Sequence, residues 1–219
     1  MAGEQERVRW QGVTRHIAVY APMTAADESP LLVALGNPGR SARYALESWR
    51  EVADREGFVV AAVSSAKPHM WQSVHDGPGL LRVVVESAKR RRAIDPRRIY
   101  LFGAGAGGGF VLSVAREQPR YFAAVACFGG EPRPLALRGD PLDRALPVRI
   151  FYSKRTPQFD VDTLQAAAAA LRESGAEVEV KRLDMGTDFE RRGDKVAGRI
   201  WAALSGYALS EPPRFRSTR

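Results

Sequence analysis

The sequence predicts an α/β protein with a mostly parallel central sheet, helices on both sides and no separate lid domain. Three observations carry this. Apolar runs rich in valine and isoleucine recur at residues 16–20, 31–35, 58–63, 99–102, 123–128, 148–152 and 178–182, and such runs suit strands buried on both faces. Segments whose apolar residues follow a 3.6 period lie between these runs. The 219 residues, 45% of them hydrophobic, are enough for one sizeable core.

Ser41 can cap a helix whose Ala45, Leu46, Trp49, Val52 and Ala53 form one stripe, ending near Gly57. Asp76, Gly77 and Pro78 start a second helix with Leu81, Val84, Val85 and Ala88 at i, i+3, i+4 and i+7, and Ile94-Asp95-Pro96 stops it. A third helix begins in the glycine run after Phe102. A fourth covers 162–174 with Asp162 as its cap, and a fifth buries Val196, Ile200, Ala203 and Leu204. Residues 129–146 read as a loop able to fold over a site. Residues 1–12 read as an N-terminal extension to a domain spanning 13–207, and the basic tail 208–219, with Pro212 and Pro213, reads as disordered.

Composition narrows the function classes. A single cysteine, Cys127, allows no internal disulfide, and the three histidines form no Cys/His cluster for a structural zinc; no cofactor is expected. Cys127 ends an apolar run and reads as a buried core thiol. The charged start and the lack of a long apolar stretch lead to the expectation of a cytoplasmic protein without a membrane partner. The formal charge of +8 comes from arginines scattered through every segment, and the dense run at 89–92 falls at a helix end, where cations complement the macrodipole. Nucleic acid is therefore not the expected partner.

The middle of the chain holds Ile94-Asp95-Pro96-Arg97-Arg98-Ile99-Tyr100-Leu101-Phe102-Gly103, followed by Ala104-Gly105-Ala106-Gly107. This segment resembles α/β-hydrolases of the polyhydroxybutyrate depolymerase and feruloyl esterase group, in which such a strand runs into the nucleophile elbow. Residues 31–36, 53–60 and 121–130 resemble the family in the same order, and the likeness covers about 13–205. It implies the α/β-hydrolase fold and a serine-esterase site made of a serine at the elbow, an acid after a later strand and a histidine beyond it.

Each of those positions departs from the family pattern. The elbow Gly-x-Ser-x-Gly reads Gly103-Ala104-Gly105-Ala106-Gly107, so Gly105 stands where the serine would be. Thr156 stands at the acid position, and Thr187 or Asp188 at that of the histidine. The histidines, His16, His69 and His75, all precede the elbow. The resulting expectation is a degenerate esterase that acts by binding or assembly rather than catalysis.

The expected cleft is lined by Gly36, Asn37, Trp71, Gly105, Ala106, Gly107, Lys154 and Arg155, with N–H groups at a helix N-terminus offered to a small anionic ligand. A protein partner and a homo-oligomer are the other expectations. Two alternatives stand beside this reading: an esterase with an unconventional site, and a nucleotide-binding protein. The second rests on Gly103 to Gly108, which also satisfies Gly-x-Gly-x-x-Gly with Glu131 beyond the next strand, although such a fingerprint normally joins the first strand to the first helix.

Overall fold

The computed structural model describes residues 4–130, 132–184, 189 and 193–216. One eight-stranded sheet runs through it in the order β1-β2-β4-β3-β5-β6-β7-β8. The strands are β1 (Glu4–Trp10), β2 (Val13–Tyr20), β3 (Ser29–Leu35), β4 (Val59–Val63), β5 (Ile94–Ala104), β6 (Ala124–Phe128), β7 (Pro147–Ser153) and β8 (Glu177–Leu183). β2 runs antiparallel to both β1 and β4, and all the remaining pairs are parallel. This is the α/β-hydrolase fold expected from the sequence.

The helices are α1 (Ala42–Glu47), α2 (Arg50–Glu56), α3 (Ser73–Asp76), α4 (Pro78–Lys89), α5 (Ala106–Glu117), α6 (Gln158–Glu173) and α7 (Gly193–Leu204). Alternation along each strand divides the core in two. Leu31, Val33 and Leu35 pack with α4, α5 and α6 on one face, while Leu32 and Ala34 pack with α1, α2 and α7 on the other. The second layer is centred on aromatic rings: Trp49 meets Phe102 edge-on at 4.8 Å, and Phe58 stacks on Trp201.

Four expectations need correction. The helix expected from Ser41 to Gly57 is two helices broken at Ser48 and Trp49. The Ser48 hydroxyl donates back to the Tyr44 carbonyl, and Trp49 is fully buried among the aromatic rings. The fourth helix begins at Gln158, directly after Pro157, so Asp162 lies inside it and accepts a hydrogen bond from the Gln158 side chain instead of capping the helix.

Residues 4–10, expected to lie outside the domain, form edge strand β1. Its outward residues are charged and mask the alternation, while Val8 and Trp10 pack on the core. The basic run after α4 is spent on this strand, with Arg90 and Arg91 pairing with Glu4 and Glu6. The tail expected to be disordered is docked as far as Arg216. Its anchors run from the Leu209 N–H on the Arg97 carbonyl to the Arg214 N–H on the Arg120 carbonyl. Its composition suggested disorder because the partners lie far away in sequence.

Candidate functional site

At the carboxyl edge of the sheet, β5 passes through Gly105 into α5. Gly105 has φ +53° and ψ −127°, a backbone state that side-chain-bearing residues seldom adopt. Its N–H donates to the Phe128 carbonyl at 3.0 Å and its carbonyl accepts the Gly108 N–H at 2.8 Å, so the turn is pinned on both sides. Gly103 is needed for a different reason, because a β-carbon there would collide with the Gly107 carbonyl of the first helical turn. The sharp strand-to-helix turn of an elbow is therefore fully formed around a residue without a side chain.

Asn37, from the loop after β3, fills the space in front of that turn. Its Oδ1 accepts the Ala106 N–H at 3.3 Å, and a β-carbon on residue 105 would overlap the same oxygen. In a hydrolase elbow the N–H of the residue after the nucleophile faces the developing oxyanion. Here an oxygen of the protein's own side chain already sits on it.

A cleft of about 930 Å³ opens over the turn. Its apolar walls include Trp71, Phe110, Phe128 and Phe189, and its polar groups include His69, Gln72, Ser113, Arg133, Thr156 and Asp160. Trp71 stacks on Phe110 at 5.5 Å, and its indole N–H donates to the Gly36 carbonyl at 3.0 Å, tying the β4–α3 loop to the end of β3. A buried ion pair fixes the same loop. Asp76 accepts from Arg15 at 2.5 Å, from the Ala66 N–H at 3.0 Å and from the Gln72 N–H at 2.8 Å. Arg15 also donates to the carbonyls of Ser64 and His75.

Of the residues singled out from the sequence, Asn37, Trp71, Gly105, Ala106 and Thr156 line this cleft together. Gly36, Gly107, Lys154 and Arg155 are not among its walls. Gly36 accepts the Trp71 hydrogen bond from behind, and Gly107 sits against the backbone of Leu35 and Gly36. Lys154 turns away to Asp184 at 2.6 Å. Arg155 is tied through its backbone, which donates to the Ser153 hydroxyl, and it belongs to a turn closed by Thr156 Oγ1 accepting the Ser153 N–H at 3.1 Å. Two of the three N–H groups expected to serve an anion at the helix N-terminus, those of Ala106, Gly107 and Gly108, are engaged as well, Ala106 N–H by Asn37 and Gly108 N–H by Gly105. Thr187, Asp188 and Glu131 lie outside the described residues.

Sequence reasoning missed Phe110, Ser113, Phe128 and Arg133 as cleft walls. A signal for two of them existed: Ala106, Gly109, Phe110 and Ser113 fall at i, i+3, i+4 and i+7 on α5, a stripe that borders the cleft, with Phe110 also part of the core beneath it. The 129–146 loop does border the cleft, through Gly129, Gly130, Arg133 and Ala136. Cys127 is the buried core thiol expected, and burial pushes its pKa up to about 12. Among the described residues, no helix is long and apolar enough to cross a membrane.

Residues 62–195, more than half of the chain and including the elbow turn, match the profile of the dienelactone hydrolase family. The chain belongs to the dienelactone hydrolase family. Its elbow is thus a hydrolase elbow by descent as well as by shape. A stretch of 135 residues is 30% identical to a bifunctional acetylxylan esterase/xylanase of Neocallimastix patriciarum, covering 56% of this chain and 19% of that protein. The aligned part is thus about a fifth of that relative's length.

Among solved structures, a ferulic acid esterase superposes with a TM-score of 0.73 at 13% identity, covering 92% of this chain and 97% of that one. The poly(3-hydroxybutyrate) depolymerase LpqC of Bordetella parapertussis superposes with a TM-score of 0.63 at 18% identity, covering 92% and 90%. At these identities the likeness is one of fold. It bears out the α/β-hydrolase resemblance read from the sequence.

Proposed function

We propose that this member of the dienelactone hydrolase family holds ligands in its carboxyl-edge cleft without cleaving them. The observation that carries the reading is Asn37: its side-chain oxygen occupies both the space of a nucleophile on residue 105 and the hydrogen bond of the Ala106 N–H. Covalent hydrolysis by the family's route needs a hydroxyl raised on the elbow, a base to take its proton and a vacant oxyanion site. Position 105 offers no hydroxyl, and the histidines all precede it in the chain. An occupant of the cleft, a small molecule or a segment of a partner protein, would rest against Trp71 beside the largely buried rings of Phe110 and Phe128.

A second reading is favoured by one specific observation. His69 lines the same cleft as the hydroxyls of Ser113 and Thr156, so an esterase using a displaced nucleophile keeps both of its chemical ingredients in one place. Membership of a hydrolase family supports this reading as much as the first. One assay separates them. Purified protein is exposed to a fluorophosphonate probe and to a panel of short-chain nitrophenyl esters, and the binding role predicts neither labelling nor turnover above a heat-denatured control. Turnover that survives purification and disappears in a Ser113→Ala or Thr156→Val variant would establish the esterase instead.

A further inference from the structure

A second concavity, of about 510 Å³, lies on the outer face of α4, away from the elbow. Its floor is the exposed stripe of α4 carrying Arg82, Val83 and Glu86; one wall is Trp10 at the tip of the β1–β2 hairpin, and the other is Phe215 from the C-terminal tail. Ser73 is the one described residue that lines both this groove and the elbow cleft. We infer that this groove is a separate binding site for a planar aromatic carboxylate.

The apolar half of the recognition is two half-buried rings, Trp10 and Phe215, that line the same groove. Trp10 reaches α4 because residue 79 is glycine: a β-carbon there would come within 2.7 Å of the benzo edge of the indole. Phe215 makes a T-shaped contact with Tyr121, centroids 5.3 Å apart, and the Arg82 guanidinium lies over its ring, 5.2 Å from the centroid. A flat ligand placed between Trp10 and Phe215 buries ring surface that water now covers.

The charged half is Arg82. The other ionic groups of the groove are already satisfied, Arg90 by Glu6 and Glu86 by Lys89. Arg82 has no carboxylate partner among the described residues, and its flat, five-donor fork suits a carboxylate in two-point contact.

The wall formed by Phe215 adds a consequence. Gln118, fully buried, spends both ends of its amide on one residue of the tail, donating to the Arg216 carbonyl and accepting its N–H, both at 2.8 Å. A ligand against Phe215 therefore binds only while the tail is docked, and its binding must stabilise that docking by mass action.

The test uses naphthoate, its neutral counterpart naphthamide and the full-length chain. Calorimetry should give saturable one-to-one binding of naphthoate, weakened at least about ten-fold by Arg82→Gln and by Phe215→Ala, with naphthamide weaker than naphthoate by at least about ten-fold. Hydrogen exchange at residues 214–216 should slow when naphthoate is present. Arg133→Gln, which removes a cation from the elbow cleft instead, should leave the affinity for naphthoate unaltered. Absence of saturable binding, equal affinity for naphthamide, or loss of binding in Arg133→Gln would each overturn the groove assignment. Loss of binding in Arg133→Gln would place naphthoate in the elbow cleft, whose non-catalytic reading is tested separately by ester turnover and probe labelling.

Discussion

At the scale of single residues, Asn37 and Gly105 form one unit. Placing a serine at 105 forces a side chain into a positive-φ turn and into the Asn37 oxygen together. Gly105→Ser is therefore expected to lower stability by about 1–3 kcal/mol, measured by urea unfolding, and Asn37→Ala in the same chain should recover part of the loss. A higher unfolding midpoint in the single variant would contradict the strain; no recovery in the double variant would contradict the collision. Asp76 supports a second prediction. Its carboxylate is fully buried and accepts three hydrogen bonds, so Asp76→Ala leaves Arg15 buried without its counter-charge and two backbone N–H groups without an acceptor. A cost of about 3–5 kcal/mol is expected, together with faster hydrogen exchange across residues 66–72, the loop that carries Trp71.

At the scale of elements, what the sequence disclosed depended on how local the cause was. α4 was legible because everything that makes it is contiguous: Pro78 at its start, an apolar stripe through Leu81, Val84, Val85 and Ala88, and a basic end. The elbow turn was legible because its glycines sit side by side. The role of Asn37 was not, since nothing in the sequence tells how closely the loop after β3 approaches the start of α5, 69 residues away. Lys154 and Arg155 were placed at the correct sheet edge, but the turn that aims them is set by Ser153 and Thr156.

The tail is the clearest case of a distant cause, since its anchor Gln118 lies 98 residues from Arg216. Gln118→Leu should release it without opening a cavity, because the replacement keeps most of the volume while losing both hydrogen bonds. Proteolytic trimming of the tail should then accelerate, with a fall in stability of about 1–3 kcal/mol. Unchanged trimming would mean that Phe215 and Leu209 hold the tail without help.

At the scale of the whole molecule, a formal charge of +8 is tolerated because carboxylates are distributed among the arginines. The pKa shifts make this concrete. Glu6 is held below its ordinary value by the Ser87 hydroxyl and by Arg91 and Arg90, Glu47 by Arg50, and Glu177 by Arg149 and Tyr207. A carboxylate whose pKa is lower in the folded state than in the unfolded one contributes stability that is complete above the unfolded value, 4.5 for glutamate. That contribution is lost as pH falls through the folded value. Glu117 acts in the opposite sense, because burial raises its pKa and protonation relieves it. Since these three glutamates, with Asp95 and Asp184 depressed beside them, outnumber the one raised group, unfolding free energy should be flat from neutral pH to about 5 and fall below about 4.5, as the unfolded glutamates take up protons. Each proton gained also adds to the positive charge, so self-repulsion steepens the same limb and added salt should shift it to lower pH. Urea unfolding at successive pH values, with and without salt, measures this directly. Glu6→Gln should make the acid limb shallower, because the hairpin strand β1 would no longer lose a charged partner for Arg90 and Arg91 on acidification. An acid limb of unchanged slope in that variant would mean that the ion pairs of β1 are too exposed to contribute.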